Sequence, residues 1–404
     1  MSMFADLRPA PPDAILGLME RFRADERPSK VSLASGVFVD ETGTTPVLDS
    51  VREAEARILR TQTTKVYKPI GGDPAYLGPV RDLVFGPGHP AVSEGRVELV
   101  HTPGGTGALR VAGDLIRTIR PAASVWLSTP TWPNHPQVFG AAGLSTRQYP
   151  YMRAGDGELD LEGMLSALRG APAGDVVVLH GCCHNPTGID PTPEQWEAIA
   201  DIVAEAGLLP IVDFAYQGFG DGLGEDARGL MILLGRDREM LVASSFSKNF
   251  ALYDERVGAL SIVGADPEAT ATLLSHAKSV VRANYSNPPA HGGEIVATIL
   301  ADAELRARWQ DEVTAMRERI NGNRARFVAG LTDAGAPGDH GRLLRQRGMF
   351  SLLGLSDAQV ARLRDEFAVY VVTRGRVNVA GLTESNLGPV CRALAAVTAT
   401  PGTH

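Results

Sequence analysis

The sequence contains little cysteine. Three thiols, Cys182, Cys183 and Cys391, occur among 404 residues, and so small and odd a number excludes a disulfide framework. No apolar run approaches the ~18 residues that a membrane-spanning helix needs, and the first residues lack the basic and apolar regions of a secretory signal. We therefore predict a cytoplasmic protein without a membrane segment.

Runs of positive charge are also missing. The formal net charge is -8 and the isoelectric point is near 5.7, and no basic stripe could follow a phosphate backbone, so a nucleic-acid partner is not expected. Hydrophobic residues make up 44% and charged residues 21% of the chain. This is an ordinary globular composition, and the length permits a large core and more than one domain.

Short apolar runs alternate with helical patterns through the middle of the chain. The pattern predicts strands at 97–100, 124–128, 143–149, 175–180, 208–214, 240–244 and 257–263. It also predicts helices at 108–119, 159–168 and 193–206, the last of them between a Thr192 cap and a Gly207 stop. This order is typical of an α/β fold with a mostly parallel, doubly wound sheet.

The two ends of the chain have a different pattern. Helices are predicted at 14–23, 47–59 and 75–85, and residues 265–334 are largely helical. The last part mixes short strands at 349–353, 368–372 and 376–380 with two amphipathic helices, which predicts a smaller α+β domain. We expect an N-terminal arm that joins this domain (1–45), a large domain (46–315) and a small C-terminal domain (316–404).

A lysine follows one of the buried strands. Lys248 lies just past the strand at 240–244 and close to Ser245. An amine held out of bulk water has a lowered pKa and can form a Schiff base with an aldehyde, and the nearby Arg256 offers a fixed cation for a phosphate. Together they indicate pyridoxal phosphate (PLP). A loop lysine and a surface arginine are the alternative.

Polar residues follow other strands too, at the sheet edge where doubly wound folds bind ligands. The stretch 102–107 is predicted as a glycine-rich turn that enters a helix and lets backbone N–H groups approach a phosphate. Asp213 ends another apolar strand, and a buried carboxylate suits a pyridinium N–H. Trp132 offers a ring for stacking. The respective alternatives are a plain tight turn, a capping aspartate and a core tryptophan.

The stretch 180–188 permits a zinc interpretation. It contains His180, Cys182, Cys183 and His184 close together, and these are zinc ligand types. No second ligand pair occurs at zinc spacing elsewhere, and we expect His180 and the cysteines to lie on a strand, so this interpretation ranks below a PLP site. The bond between Asn185 and its proline is a candidate cis peptide.

Taken together, these stretches resemble a known family. Residues 183–195, 213–219, 244–258, 284–290 and 375–381 are similar to motifs of the class I aminotransferases, in the aspartate and aromatic amino acid branch. The similarity runs from about residue 3 to residue 397. It implies the PLP-dependent transferase fold of type I, with a large PLP-binding domain and a smaller α+β domain.

The resemblance implies a role for each matching residue. Lys248 would hold the cofactor and move the substrate proton, and Asp213, backed by His135, would hold the pyridinium N–H. The implied catalytic residues are Lys248, Asp213, Tyr216 and Trp132. The other implied cofactor ligands are Tyr67, Gly105, Thr106, His135, Asn185, Ser245 and Arg256. The implied substrate contacts are Gly36, Trp132, Asn185, Arg282, Ser286, Asn287, Phe350 and Arg376. No metal ligand is implied.

The resemblance further implies a homodimer with shared sites, in which Tyr67 and Arg282 act in the partner's pocket. Arg376 would clamp the α-carboxylate, and a second fork at Arg282 suits dicarboxylates. Val39 and Val66 replace the Lys and Asn that are common in aspartate enzymes, which favours aromatic substrates as well.

We therefore predict a transaminase that moves an amino group from aspartate and/or an aromatic amino acid to 2-oxoglutarate by a ping-pong mechanism. The alternatives are an aminotransferase for a specialised amino acid and another PLP reaction on this fold, such as a decarboxylase or lyase. A PLP-binding regulator without activity is disfavoured because every catalytic group is present.

Overall fold

A computed structural model describes residues 4, 7–8, 16–154, 156–236 and 239–399. Within these ranges a seven-stranded sheet forms the centre of the molecule, and two short two-stranded sheets accompany it. The strands are β1 (Val31–Ser32), β2 (Val97–Pro103), β3 (Ser124–Thr129), β4 (Ser145–Pro150), β5 (Val176–His180), β6 (Leu209–Phe214), β7 (Met240–Ser245), β8 (Val257–Val263), β9 (Phe350–Leu352), β10 (Val369–Tyr370) and β11 (Arg376–Asn378).

The central sheet has the order β2-β8-β7-β6-β5-β3-β4. Its neighbours are parallel except that β8 pairs antiparallel with both β2 and β7, which confirms the predicted mostly parallel α/β sheet. Alternate residues of one strand enter different apolar clusters: Val176 and Val178 pack with one, and Val177 and Leu179 with the other. Both faces are therefore covered, as a parallel sheet requires.

Helices cover the sheet and build the rest of the fold. The helices are α1 (Leu16–Ala24), α2 (Asp49–Thr61), α3 (Pro74–Phe85), α4 (Pro90–Ser93), α5 (Gly104–Ile119), α6 (His135–Ala141), α7 (Leu161–Arg169), α8 (Pro193–Glu205), α9 (Arg228–Leu234), α10 (Pro267–Asn284), α11 (Ala290–Ala301), α12 (Ala303–Asp333), α13 (Asp357–Phe367) and α14 (Glu384–Thr398). Thr192 caps α8 as predicted: its hydroxyl accepts from the Gln195 N–H, and its own N–H donates to the side-chain oxygen of Gln195. None of these helices is long and apolar enough to cross a membrane.

Two predictions around the sheet were wrong in detail. The stretch 102–107 is not a separate turn, because β2 continues to Pro103 and α5 starts at Gly104. The cysteines do not lie on a strand, because β5 ends at His180 and Cys183 has a φ of 51° in the turn that follows. The Asn185-Pro186 bond is cis, as proposed.

The N-terminal segment joins the C-terminal part of the chain. β1 pairs in parallel with β10, and the carbonyl of Leu33 accepts a hydrogen bond from the N–H of Asn378. The first residues of the predicted arm lie largely outside the described residues. Residues 33–37, by contrast, lie beside β11, because their backbone carbonyls accept hydrogen bonds from Arg376 and Asn378.

Candidate active site

A cavity of about 280 Å³ lies beyond the carboxyl ends of β5, β6 and β7. Segments from both ends of the chain complete its wall. It gathers most of the predicted site residues, namely Gly36, Gly105, Thr106, Trp132, Asn185, Asp213, Tyr216, Ser245, Lys248, Arg256, Phe350 and Arg376. The strand ends that the sequence marked as polar therefore converge on one place.

Lys248 reaches this cavity directly after β7. Its ammonium nitrogen lies 5.7 Å from the centre of the Tyr216 ring and 5.8 Å from that of Tyr253. Burial lowers the pKa of Lys248 to about 8, and the positive charge of Arg256 acts in the same direction. A neutral amine is thus available near neutral pH, which is what attack on an aldehyde requires.

One end of the cavity is built for an anion. Gly105 and Thr106 belong to the first turn of α5, and no side chain caps this helix start, so its N–H groups are free to meet an anion. A Cβ atom at Gly104 would stand 2.6 Å from Arg256 Nη2, so only glycine lets the guanidinium approach. Arg256 Nη1 also donates to Ser247 Oγ at 3.3 Å.

Asp213 lies buried at the end of β6 with a histidine behind it. His135 Nε2 is 3.1 Å from Asp213 Oδ2, and His135 Nδ1 is 2.7 Å from Thr131 Oγ1. Burial by itself would raise the pKa of Asp213, but the hydrogen bond from His135 and the nearby positive charges hold the pKa below its ordinary value. The carboxylate is therefore ionised and suited to a cationic ring N–H.

Arg376 extends from β11 into the opposite wall. Its Nη1 donates to Asn185 Oδ1 at 3.2 Å and its Nη2 to the Ala34 carbonyl at 2.7 Å. Asn185 Nδ2 in turn donates to the Tyr216 hydroxyl at 3.4 Å. Burial lowers the pKa of Arg376 to about 10, and its Nε has no hydrogen-bond partner among the described residues. A buried guanidinium with a spare donor is a ready carboxylate site.

These groups fit the predicted cofactor. An uncapped helix start with Arg256 suits the phosphate, Lys248 suits the aldehyde, and ionised Asp213 suits the ring nitrogen. Trp132 lies in the cavity wall and meets the His135 ring edge-on at 5.3 Å between centroids. Each end of PLP therefore finds a group of the required chemistry.

The other predicted residues do not reach this cavity. Tyr67 is 90% exposed, and Arg282 donates instead to the hydroxyl of Ser286. Ser286 bonds to Asn287 Oδ1 at 3.0 Å, and Asn287 Nδ2 donates to the Lys68 carbonyl at 2.8 Å. We call Tyr67, Arg282, Ser286 and Asn287 the second surface; none of them lines the pocket of its own chain.

Sequence reasoning missed several lining residues, namely Val37, Leu109, Ala215, Ser247 and Tyr253. Tyr253 matters most, because its hydroxyl accepts a hydrogen bond of 2.8 Å from the N–H of Phe38 and so joins the lysine turn to the N-terminal segment. The position of Tyr253 shortly after Lys248 was the one feature of the sequence that could have indicated a place in the cavity wall. Nothing in the sequence around Phe38 indicated this contact with Tyr253.

The proposed zinc ligands separate in the structure. His180 lies near His135 and Asp213, whereas Cys182 and Cys183 group with Asp226. Asp226 already accepts four backbone N–H groups in the loop from Gly218 to Gly222. The histidines and cysteines of 180–184 therefore do not converge on one ion.

Comparisons with known proteins agree with this geometry. Residues 28–394 match the model of the family described as aminotransferase class I and II. The chain belongs to this family. This aminotransferase is 52% identical to the aspartate aminotransferase of Escherichia coli (strain K12) over 395 residues, 98% of this chain and all of the relative.

Aromatic-amino-acid aminotransferases are almost as similar to this chain in sequence. The aromatic-amino-acid aminotransferase of Pseudomonas aeruginosa is 48% identical over 399 residues, 99% of this chain and 100% of the relative. The crystal structure of an aromatic-amino-acid aminotransferase from Burkholderia pseudomallei, covalently bound to pyridoxal phosphate, superposes with a TM-score of 0.96 at 46% identity and covers 98% of this chain and 100% of that one. The predicted fold class is thereby confirmed, and the chain is a transaminase by family.

Proposed function

We propose that this aminotransferase uses PLP to move an amino group from aspartate and/or an aromatic amino acid to 2-oxoglutarate. The observation that carries the proposal is the convergence of Lys248, Asp213, Arg256 and Arg376 on one cavity. When bound, PLP supplies an aldehyde for the amino group and a ring that accepts the electron pair released at the substrate Cα.

The chain's own residues then have separate tasks. Arg376, with Asn185, holds the substrate α-carboxylate by two guanidinium contacts and so orients Cα. Lys248, as a neutral amine, would take the proton from Cα and deliver it within the same half-reaction to the cofactor's aldehyde carbon. In the second half-reaction it would move a proton in the opposite direction. Asp213, supported by His135, keeps a positive charge on the ring nitrogen. Thr106, Ser245 and Arg256 bind the phosphate.

The substrate choice follows from the second surface. Arg282 offers a fork for a distal carboxylate, which suits aspartate, glutamate and 2-oxoglutarate. Val66 is 71% exposed, and Val39 also belongs to the region that the resemblance places at the entrance. An apolar entrance stabilises an aromatic ring by ~25 cal/mol per Å² of buried surface. The two kinds of relative support this dual specificity.

We further propose a homodimer in which Tyr67, Arg282, Ser286 and Asn287 complete the pocket of the second copy. Three large apolar side chains support this, because Leu59, Val66 and Tyr67 are 85%, 71% and 90% exposed in a single chain. A second subunit that covers these side chains would remove their apolar surface from water. The functional unit would lie in the cytoplasm, where the three free thiols stay reduced.

The division into an arm with part of the small domain (1–45), a large domain (46–315) and a small domain (316–404) remains a proposal. The pairing of β1 with β10 supports the assignment of the first residues to the small domain. α12, which spans Ala303–Asp333, runs through the proposed boundary and would connect the two domains rigidly.

A substrate panel tests the function. Purified protein with PLP is incubated with 2-oxoglutarate and each of aspartate, phenylalanine, tyrosine, tryptophan and several unrelated amino acids, and glutamate formation is measured. We expect glutamate from aspartate and from at least one aromatic amino acid, in equal amounts with the new keto acid. Product without a keto-acid acceptor would instead indicate a decarboxylase or lyase.

Subunit mixing tests the shared site. Lys248→Ala and Arg282→Ala chains, each inactive on dicarboxylates, are mixed and allowed to exchange. A hybrid dimer should regain one good pocket, which has Lys248 from one chain and Arg282 from the other. An absence of recovery after verified exchange would show that each pocket is built from a single chain.

A further inference from the structure

A single carboxylate holds both ends of an exposed loop. We name residues 63–67, which lie between α2 and α3, the Tyr67 loop; all five are exposed. On its N-terminal side, Gln62 Nε2 donates to Glu294 Oε2 at 2.6 Å. On its C-terminal side, Lys68 Nζ lies 2.9 Å from Glu294 Oε1. Glu294, on α11, therefore holds the two ends of the loop together, and we call this arrangement the Glu294 clamp.

The Lys68 end is tied down more firmly. Lys68 Nζ also lies 2.9 Å from Asp73 Oδ2, and the Lys68 carbonyl accepts a hydrogen bond from Asn287 Nδ2. The pKa of Lys68 is raised, mainly by its hydrogen bond to Glu294 and to a smaller extent by its hydrogen bond to Asp73. The ammonium therefore stays charged at neutral pH. The side chain of Glu294 is only 19% exposed, so its contacts with Lys68 are partly shielded from solvent.

The loop has little else to fix its shape. Among the described residues, its internal side-chain contact is a weak hydrogen bond of 3.4 Å from the Val66 N–H to Thr64 Oγ1. Ordering a free residue costs ~1–2 kcal/mol of backbone entropy. Because both ends of the Tyr67 loop are held by Glu294 on α11, the loop has fewer accessible conformations before it contacts another molecule. Less entropy is then lost when that contact forms.

We infer that Glu294 is a positioning residue, which fixes the loop of its own subunit so that Tyr67 reaches the pocket of the second copy. The inference rests on the proposed shared site and names the residue that prepares it. It explains why Tyr67 stands 90% exposed at the end of a segment that is otherwise tied back by Gln62 and Lys68.

Two hybrid dimers separate this role from a general structural one. Both contain one Lys248→Ala chain, so that only the other chain's pocket can work, and Tyr67 in that pocket comes from the Lys248→Ala chain. In the cis hybrid, Glu294→Ala is placed on the Lys248→Ala chain. In the trans hybrid, it is placed on the chain that keeps Lys248.

We expect the cis hybrid to lose roughly 10- to 100-fold in kcat/KM, since a displaced active-site group costs up to about that much. The trans hybrid should match the hybrid without Glu294→Ala. An equal loss in both hybrids, or no loss in the cis hybrid, would overturn the inference.

A measurement without cofactor checks the loop itself. Tryptic cleavage after Lys65 should be faster in cofactor-free Glu294→Ala than in the wild type. It should be intermediate in Glu294→Gln, which keeps the shape of the side chain and also serves if the alanine variant does not fold. Glu318→Ala, an exposed glutamate on α12, is the matched control and should not change the rate.

An unchanged rate of cleavage after Lys65 in both Glu294 variants would show that Glu294 does not hold the Tyr67 loop. Because this assay needs no turnover, it separates a failure of the clamp from a failure of the proposed reaction.

Discussion

The guanidinium carbon of Arg376 lies 4.3 Å from the centre of the Phe350 ring. The two residues sit on neighbouring strands of one short sheet, β11 and β9. The aromatic face therefore supports the guanidinium while its hydrogen bonds to Asn185 and Ala34 set its direction. This contact gives Phe350 a function beyond filling the cavity wall.

Phe350→Leu should weaken the binding of the substrate carboxylate. The loss of a cation–π contact of ~0.5–2 kcal/mol corresponds to roughly 2- to 30-fold in kcat/KM. Steady-state kinetics with aspartate measure it. Phe327→Leu, a buried phenylalanine on α12, controls for the general effect of the smaller side chain. An equal loss in both variants would mean that Phe350 acts only through packing.

Lys248 should be the only lysine that traps the cofactor. Borohydride reduction followed by peptide mapping should place the pyridoxyl label on Lys248, and a label on Lys65, Lys68 or Lys278 would contradict the assignment. Lys248→Ala should still bind PLP, but turnover should fall by ~10²–10⁴-fold, the usual value of a positioned acid–base group.

The same lysine should destabilise the cofactor-free protein. Its pKa is about 8 in the fold against 10.5 in the unfolded chain, so the folded state must bury a charge below pH 8, and this cost disappears above pH 10.5. Lys248→Met should therefore raise the Tm of the cofactor-free protein at pH 7, and the gain should shrink as the pH rises from 8 to 10.5. A gain that does not depend on pH would indicate a packing effect.

Asp213→Asn should abolish most turnover without unfolding the protein. The amide keeps the shape of the side chain but removes the charge that stabilises a ring N–H, and a lost preorganised contact costs ~10²–10³-fold in kcat. His135→Gln should cost less, because the carboxylate remains. Stopped-flow kinetics with circular dichroism as a folding control measure both variants. Near-normal activity of Asp213→Asn would rule out the role given to this carboxylate.

Arg282→Ala should discriminate between substrates. Aspartate should lose far more kcat/KM than phenylalanine, because an unpaired distal carboxylate is costly to bury. Arg308→Ala, an exposed arginine on α12, is the control for a change of surface charge. Equal losses for aspartate and phenylalanine would show that Arg282 does not read the substrate side chain.

Much of the fold was predictable because its signals are local. The buried strands β5 to β8 are short apolar runs whose bounds came out within a residue or two. α6 was not predicted, because Pro136 and Gly140 resemble helix breakers. Pro136 falls in the first turn, where its missing N–H costs nothing. The packing of Val138 and Phe139 in the core then stabilises the helix.

The sequence alone determined which residue types stand at the strand ends, since Lys248, Asp213 and the glycines that begin α5 each follow a local apolar pattern. Only the tertiary structure decided which of them meet. Arg376 contacts Asn185 across 191 positions, and Glu294 reaches Gln62 across 232. Such contacts depend on how the helices and the sheet pack together. The local hydrophobic pattern carries no information about which distant residue a side chain will contact. The sheet fixes the strand ends, and the packed helices then place the distant partners.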